Sequence, residues 1–325
     1  MANEFLKYVS CSFLMIFYFD KSNAQELFPY AESASTMPKG VFSYRLSTEY
    51  YNDLQNHSKN WYALRAMYGF SKNFTAILTA SVSNHHIKNF PNGYAAYFLN
   101  HHTRYNSLNP FNFEGIHLYL KYRVLHIDGY KKHIRLAVYA EGSNCRVAHD
   151  EAEPNLMGDN AGWGTGAIAT ALYYRASFSI TGGYVRPLGY YDKKSDVTFT
   201  SGNMLLANFS VGYLLLPKTF RAYDDINMSI YAEFGYRSYQ RATLQQATNV
   251  FDVSNFNLGD PYTYQSLQKN QYCDLRTYLQ LVFNAKSRID VGVNWRFWNK
   301  SYVHFYPVFV LNYQRYIFKK TRKSN

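Results

Sequence analysis

The sequence predicts an all-β fold, a transmembrane antiparallel β-barrel of about 12 strands with long extracellular loops and short periplasmic turns. The first observation is alternation, because successive segments place apolar side chains at every second position with polar ones between them, as lipid-facing strands do. The second is composition: aromatic residues form 19% of the 325-residue chain and are typical of membrane-interface girdles. The third is that the connections alternate between long and short.

The central segments show the alternation most clearly. In the segment that starts at Glu114, Ile116 and Leu118 fall on one face, whereas His117 and Lys121 fall on the other. In hydrocarbon an unpaired backbone group costs several kcal/mol, so such strands must close on themselves. An even number of strands with both termini in the periplasm follows. Three later segments repeat the pattern: 132–141, 288–298 and 301–318.

The connections follow from the strand pattern, which starts near Val41. Their alternation indicates that the long loops share one side of the membrane. Ten or fourteen strands also fit, since 201–217 is partly apolar on both faces and a hairpin around 94–99 would add a pair. The longer connections are 52–59, 86–113, 148–163, 193–200, 218–224 and 243–270, and the turns are 72–73, 129–131, 176–177, 286–287 and 299–300.

Two other architectures are excluded. The mean hydropathy is −0.37, and the longest wholly apolar run, 13–19, is far short of the about 20 residues that a spanning helix needs. A pair of soluble domains would require a linker rich in Pro, Gly or Ser, and no such segment interrupts the strand pattern.

The chain divides into four parts. Residues 1–24 are predicted to be a secretory signal peptide, with Lys7 before an apolar stretch and Ala24 ending a small-x-small cleavage site. Residues 25–39 are predicted to be a periplasmic segment, 40–318 the outer-membrane barrel, and 319–325 a basic periplasmic tail. The predicted location is therefore the bacterial outer membrane.

The charge does not indicate nucleic-acid binding. The formal net charge is +12, but Lys and Arg are scattered singly through the strands, and only the tail after residue 318 contains a basic run. The expected partners are outer-membrane lipid, lipopolysaccharide and small solutes of unknown identity. No cofactor is expected.

The charged residues on the polar faces of the strands are candidates for lining the lumen. One interpretation is that they form ion-pair ladders that fill a narrow barrel, since buried charges must be paired or hydrated. The other is a basic constriction that favours anions or polar solutes. The candidates are Arg45, Arg65, Lys121, Arg123, Arg135, Glu141, Arg175, Glu233, Arg237, Arg276 and Arg296.

An acidic loop stands out in this basic chain. Asp150, Glu151, Glu153 and Asp159 lie close together in the sequence. Their oxygen atoms suit calcium, but the spacing is not that of an EF-hand loop. A solvated loop and a loop that folds inward to pair with the lumen arginines are the alternatives, and we favour the inward fold as a pore constriction.

Metal and enzymatic sites have little support. The histidine pairs at 85–86 and 101–102 lack the further ligands of a zinc or copper site. Ser143, His149 and Asp150 could act as the nucleophile, base and orienting group of a hydrolase. No nucleophile motif surrounds them, so no enzymatic activity is predicted. Cys145 and Cys273 are expected to be free thiols, with a disulfide as the alternative.

Several segments resemble a known group of proteins: 114–123, 135–142, 158–170, 211–217 and 288–293. They are similar to Gram-negative outer-membrane barrels described as transporters of the phenol meta-cleavage pathway. The resemblance covers roughly 40–318 and implies a barrel of that class that passes small aromatic or hydrophobic solutes. It is a pattern of strands and turns without a catalytic motif, so it assigns no functional residue.

We therefore expect a passive channel or transporter for small solutes with a basic lumen. The first alternative is a closed structural barrel whose extracellular loops bind a ligand or partner. An outer-membrane hydrolase is the second alternative.

Overall fold

The computed structural model describes residues 27–52, 58–84, 110–146, 155–219, 222, 225–251, 268–299 and 307–318. The predicted signal peptide and basic tail, the two histidine pairs and the candidate hairpin at 94–99 lie outside this part of the chain. No helix within the described ranges is long and apolar enough to cross a membrane.

The fold is all-β, and 12 of its strands close into an antiparallel barrel with the order β1-β16-β15-β14-β11-β10-β7-β6-β5-β4-β3-β2. This confirms the predicted fold class and the strand number. The strands are β1 (Phe42–Asn52), β2 (Ser58–Gly69), β3 (Phe74–Ser83), β4 (Asn112–Gly129), β5 (Lys132–Cys145), β6 (Gly162–Tyr173), β7 (Ala176–Pro187), β8 (Tyr190–Asp192), β9 (Val197–Thr200), β10 (Met204–Leu216), β11 (Asn227–Tyr239), β12 (Thr243–Gln246), β13 (Asn249–Phe251), β14 (Asn270–Phe283), β15 (Ser287–Asn299) and β16 (Val308–Ile317).

The two faces of the barrel wall differ as the alternation predicts. In β4, Ile116 and Leu118 are 47% and 42% exposed, whereas His117 and Tyr119 between them are both 7% exposed. Exposed aliphatic side chains on a closed barrel belong against lipid. The outward face is therefore apolar, and the polar residues of the same strands face the lumen.

The barrel ends differ in the length of their connections. The β4–β5 and β6–β7 strand pairs are joined by two residues each, and these turns lie at the periplasmic end. Two predicted turns differ: the turn predicted at 176–177 lies at 174–175, and the two-residue turn predicted at 299–300 is replaced by a longer connection, because β15 ends at Asn299 and β16 begins at Val308. The sequence pattern placed the start of the last strand near residue 301, because apolar residues at 303 and 305 continue the two-residue period of β16.

Three lumen tyrosines lie directly opposite glycines on neighbouring strands. Tyr231 pairs with Gly212, and a Cβ added to that glycine would lie 2.3 Å from Cε1 of the tyrosine ring. The Tyr278–Gly292 pair repeats this contact at 2.1 Å, to Cδ1. Because glycine has no side chain, each ring can lie flat along the wall and leave space in the lumen. Tyr139 opposite Gly166 is the third pair.

A second, four-stranded sheet extends from the extracellular end. Its order is β13-β12-β9-β8, and its strands come from the two connections that leave β7 and β11. Val197, Phe199 and Leu244 are buried between them. Two predicted loops, at 193–200 and 243–270, therefore pair with each other.

Candidate functional site: the barrel lumen and its N-terminal segment

Residues 27–40, here called the lumen segment, lie inside the barrel. The segment leaves β1 at the periplasmic end, where the Gly40 backbone N–H donates to Gly69 O at 2.8 Å. The backbone N–H of Met37 donates to Thr75 Oγ1 at 2.8 Å. Further along, Ala31 N–H donates to a carboxylate oxygen of Glu233 at 2.7 Å. Since Glu233 is in the middle of β11, the segment reaches half-way up the lumen.

The lumen segment then turns back toward the periplasmic end. Arg45 Nη1 donates to the carbonyl of Pro29 at 3.0 Å, and Arg288 Nη2 donates to that of Phe28 at 3.1 Å. Both arginines lie near the periplasmic ends of their strands. The segment is therefore a loop with its tip at mid-lumen and both ends directed toward the periplasm. This differs from the expectation that 25–39 lies below the barrel, in the periplasm.

Glu32 makes the ion pairs of the lumen segment. Its carboxylate accepts from Lys121 Nζ at 2.9 Å and forms an ion pair with Arg65, while Lys121 also donates to the carbonyl of Ser33 at 2.8 Å. Burial raises the pKa of Glu32, but the charges of Lys121 and Arg65 lower it more, so the pKa lies well below the usual carboxyl range. The pairing therefore stabilises the lumen segment in its position above the ordinary carboxyl pKa and is lost only as the pH falls through the lowered value.

The tip of the lumen segment contacts a cluster of arginines. The Arg276 guanidinium lies 3.7 Å from the centre of the Tyr30 ring, and Arg237 Nη2 donates to the Tyr30 hydroxyl at 2.8 Å. The Asp274 carboxylate lies between arginine side chains, with its oxygens 2.7 Å from Arg276 Nη2 and 3.0 Å from Arg296 Nε. We call Arg237, Asp274, Arg276 and Arg296 the arginine cluster.

Apolar contacts also hold the lumen segment against the barrel wall. Phe28 is 1% exposed, and its ring packs edge-on against Tyr231 with centroids 5.6 Å apart. Tyr231 and Tyr278 belong to one buried group with Phe28 and Ala31. The rings that lie flat over glycines thus form the wall against which the segment packs.

The extracellular half of the lumen holds a second group of polar contacts. His117 Nε2 lies 2.9 Å from a carboxylate oxygen of Glu141, and Trp61 Nε1 donates to Glu114 at 2.9 Å. Gly158 packs against both Trp61 and Glu114. The end of the predicted acidic loop therefore covers this group from the extracellular side.

Most of the predicted lumen residues face the lumen. The residues that contact the lumen segment directly are Arg45, Arg65, Lys121, Arg135, Glu233, Arg237 and Arg276. Arg296 belongs to the arginine cluster, and Glu141 pairs with His117. The structure therefore gathers these side chains around a segment of the same chain.

Two predicted lumen residues, Arg123 and Arg175, lie at the periplasmic rim instead, whereas Arg135 near that rim contacts the lumen segment. Arg123 Nη2 donates to Lys72 O at 2.8 Å, and Arg135 Nη1 donates to Ser35 Oγ of the lumen segment at 2.8 Å. Arg175 is in the turn between β6 and β7, where its guanidinium donates to Leu214 O and packs over the exposed Tyr213 ring. The sequence pattern placed Arg175 in a strand because the preceding alternation continues into the turn.

Of the four acidic loop residues, only Asp159 lies in the described part. Gly158 and Asn160 beside it are buried, and Asn160 Oδ1 accepts from Ser201 Oγ at 3.0 Å. Asp150, Glu151 and Glu153 lie outside the described residues, so their predicted role as a constriction stays a prediction. Cys145 and Cys273 are both free thiols.

Sequence reasoning missed Tyr30, Glu32 and Arg288. Arg288 Nε lies 2.7 Å from Asp290 Oδ1, and both side chains are buried. One signal could have found the lumen segment: 27–37 is rich in small residues and carries a single acid, which suits a chain threaded through a narrow basic lumen. Among the described residues no cluster of three or more His, Cys, Asp or Glu could hold a metal ion.

Comparison with known proteins gives the same architecture. No protein-family model and no curated protein matches the sequence. The COG4313 outer membrane channel from Pseudomonas putida F1 is similar with a TM-score of 0.54 and 11% identity, covering 90% of this chain and 100% of that one. This chain has the outer-membrane β-barrel fold. The NanC porin is similar with a TM-score of 0.45 and 9% identity, over 85% of this chain and 100% of the porin. The sequence-based resemblance to outer-membrane barrels is thus confirmed at the level of fold.

Proposed function

We propose that this protein is an outer-membrane channel for small polar solutes whose lumen is closed by its own N-terminal segment. The observation that carries the proposal is how the lumen segment is held: by ion pairs, hydrogen bonds and one aromatic anchor, with both ends toward the periplasm. Polar contacts of this kind exchange readily for contacts with water. The segment can therefore leave the lumen toward the periplasm without unfolding the barrel.

Withdrawal of the lumen segment would change the charge of the lumen. Glu32 is the acid that faces Lys121 and Arg65, and the carbonyl of Pro29 accepts from Arg45. An open lumen would present these bases to solutes, which supports a preference for anions. We therefore propose that the basic lumen expected from the sequence is a property of the open state.

The channels among similar structures support transport as the general class. A closed barrel that binds a partner through its loops is the second candidate, and the extracellular sheet of β8, β9, β12 and β13 favours it. We propose no enzymatic function: Ser143 lies at the extracellular end of β5, and its candidate partners His149 and Asp150 lie outside the described residues.

Conductance separates the two candidates. The mature chain and a variant lacking 27–37 are refolded and measured as single channels in a planar bilayer with a salt gradient. We expect small or infrequent openings for the mature chain and a large, anion-selective conductance for the deletion. The matched control lacks 319–325, the other terminal segment, and should behave as the mature chain does. A folded deletion variant without conductance would favour the partner-binding barrel.

A further inference from the structure

The outer face of the barrel carries a patch of cations and tyrosines at the periplasmic rim. Its lysines are Lys131 and Lys132, in and beside the β4–β5 turn, and both are exposed. The Lys131 ammonium lies 5.0 Å from the centre of the Tyr130 ring, and that of Lys132 lies 4.9 Å from the Tyr173 ring. We call Tyr130, Lys131, Lys132, Tyr173 and Tyr174 the rim patch.

Neighbouring turns hold the rim patch in place. The backbone N–H of Tyr174 donates to Lys131 O at 2.7 Å, which joins the β6–β7 turn to the β4–β5 turn. The Tyr173 and Tyr174 rings pack edge-on with centroids 4.8 Å apart. Arg175 extends the positive charge to the next strand, since it lies over Tyr213 of β10. The patch is therefore a continuous surface across neighbouring hairpins.

The carboxylates near the rim patch contact groups other than its two lysines. Asp128 of β4 lies 2.8 Å from His133 Nδ1 and 3.2 Å from Arg135 Nη2, on the lumen side of the hairpin. Asp225, in the β10–β11 connection, accepts from the backbone N–H of Ala222 at 3.1 Å. The described carboxylates therefore do not lie between the two lysines of the rim patch.

We propose that the rim patch binds the headgroup of an anionic phospholipid of the inner leaflet. The barrel orientation places this rim at the level of the phospholipid headgroups. Tyrosines at this depth keep the ring in the acyl region and the hydroxyl at the headgroups. Paired ammonium groups beside them complement a phosphodiester that carries net negative charge, whereas a zwitterionic headgroup brings its own cation against the lysines.

Lipid retention tests this proposal in the intact mature chain. The protein is purified from nanodiscs that contain equal phosphatidylglycerol and phosphatidylcholine, and the bound lipids are counted by native mass spectrometry. We expect phosphatidylglycerol to be enriched. Each lysine near an anionic surface contributes about fivefold in affinity, so Lys131→Gln with Lys132→Gln should lower the enrichment by up to about 25-fold.

A second lysine pair supplies the matched control. Lys193 and Lys194 are exposed in the β8–β9 turn at the extracellular end, and replacing both with Gln makes the same change in net charge. This control should keep the enrichment, and heat-modifiable migration checks that both variants are folded. Equal retention of the two lipids by the unaltered chain, or equal losses in both variants, would overturn the proposal.

Inorganic phosphate separates a lipid site from a phosphate site. Phosphate and chloride are compared at the same ionic strength, and we expect both to weaken lipid retention equally by screening. Displacement of phosphatidylglycerol by phosphate alone would assign the patch to free phosphate and contradict the lipid proposal.

Discussion

At the scale of single residues, Glu32 joins the lumen segment to the barrel wall. Its carboxylate meets Lys121 and Arg65, and its side chain is 13% exposed. Removing one partner of a buried ion pair costs about 3–5 kcal/mol, because the remaining charges lose their compensation. The contact is therefore strong enough to set how often the segment leaves the lumen.

Glu32→Gln should open the channel. We expect the open fraction in single-channel records to rise by about tenfold or more, because the neutral amide no longer compensates two buried cations. Asp196→Asn is the control, since it removes one exposed acid from the β8–β9 turn at the extracellular end. An unchanged open fraction in Glu32→Gln would show that the ion pairs do not hold the segment.

The tyrosine–glycine pairs make a second prediction at this scale. Gly212→Ala should destabilise the barrel by about 1–3 kcal/mol, the usual cost of overpacking, because the new Cβ would lie 2.3 Å from the Tyr231 ring. The midpoint of urea unfolding in detergent micelles measures this. Gly182→Ala is the control, as a Cβ there meets nothing within 4 Å. Equal midpoints for the two variants would contradict this account of the pairs.

At the scale of elements, Phe28 anchors the lumen segment to β11. Phe28→Ala removes its packing against Tyr231, and truncation of a buried Phe costs about 3–5 kcal/mol. We expect the open fraction to rise while the barrel keeps its heat-modifiable migration. Ser33→Ala, which alters an equally buried residue of the same segment, should leave gating unchanged. A similar effect of both variants would mean that general loosening, rather than the anchor, opens the lumen.

The sequence predicted the elements of the wall and missed the element inside it. Strands such as β4 and β5 are visible because lipid on one face enforces a period of two. The lumen segment has no such period: Phe28, Glu32 and Met37 each meet a different strand. Contacts of this kind depend on closure of the barrel, and no local pattern in the sequence encodes them.

The extracellular sheet was missed for a similar reason. β9 and β12 are four residues each and pair across more than forty residues of sequence. Each is too short for its alternation to stand out from loop sequence. Only the closed barrel, which brings the β7 and β11 ends near each other, lets them pair.

At the scale of the whole molecule, the barrel wall and its N-terminal segment are joined by ion pairs and hydrogen bonds. The sequence predicted Arg45, Arg65 and Lys121 as lumen candidates, and each of these side chains has a partner in the lumen segment. Under the proposed function, the filled lumen and the open basic lumen would be two states of the same molecule, with the segment in or out.

A reversible crosslink tests this closure most directly. The backbone N–H of Ala34 donates to Thr170 Oγ1 at 2.9 Å, so residues 34 and 170 are neighbours, and cysteines at both positions are tested for disulfide formation by oxidation. The variant Ala34→Cys with Thr170→Cys is made with Cys145→Ala and Cys273→Ala, and Ala34→Cys alone in that background is the control.

Single-channel conductance is recorded before and after reduction of this crosslink. We predict that the oxidised double variant loses the infrequent openings expected of the mature chain, that a reductant restores them, and that the control responds to neither treatment. Large openings that persist while a gel shows the crosslink complete would contradict closure of the lumen by its N-terminal segment.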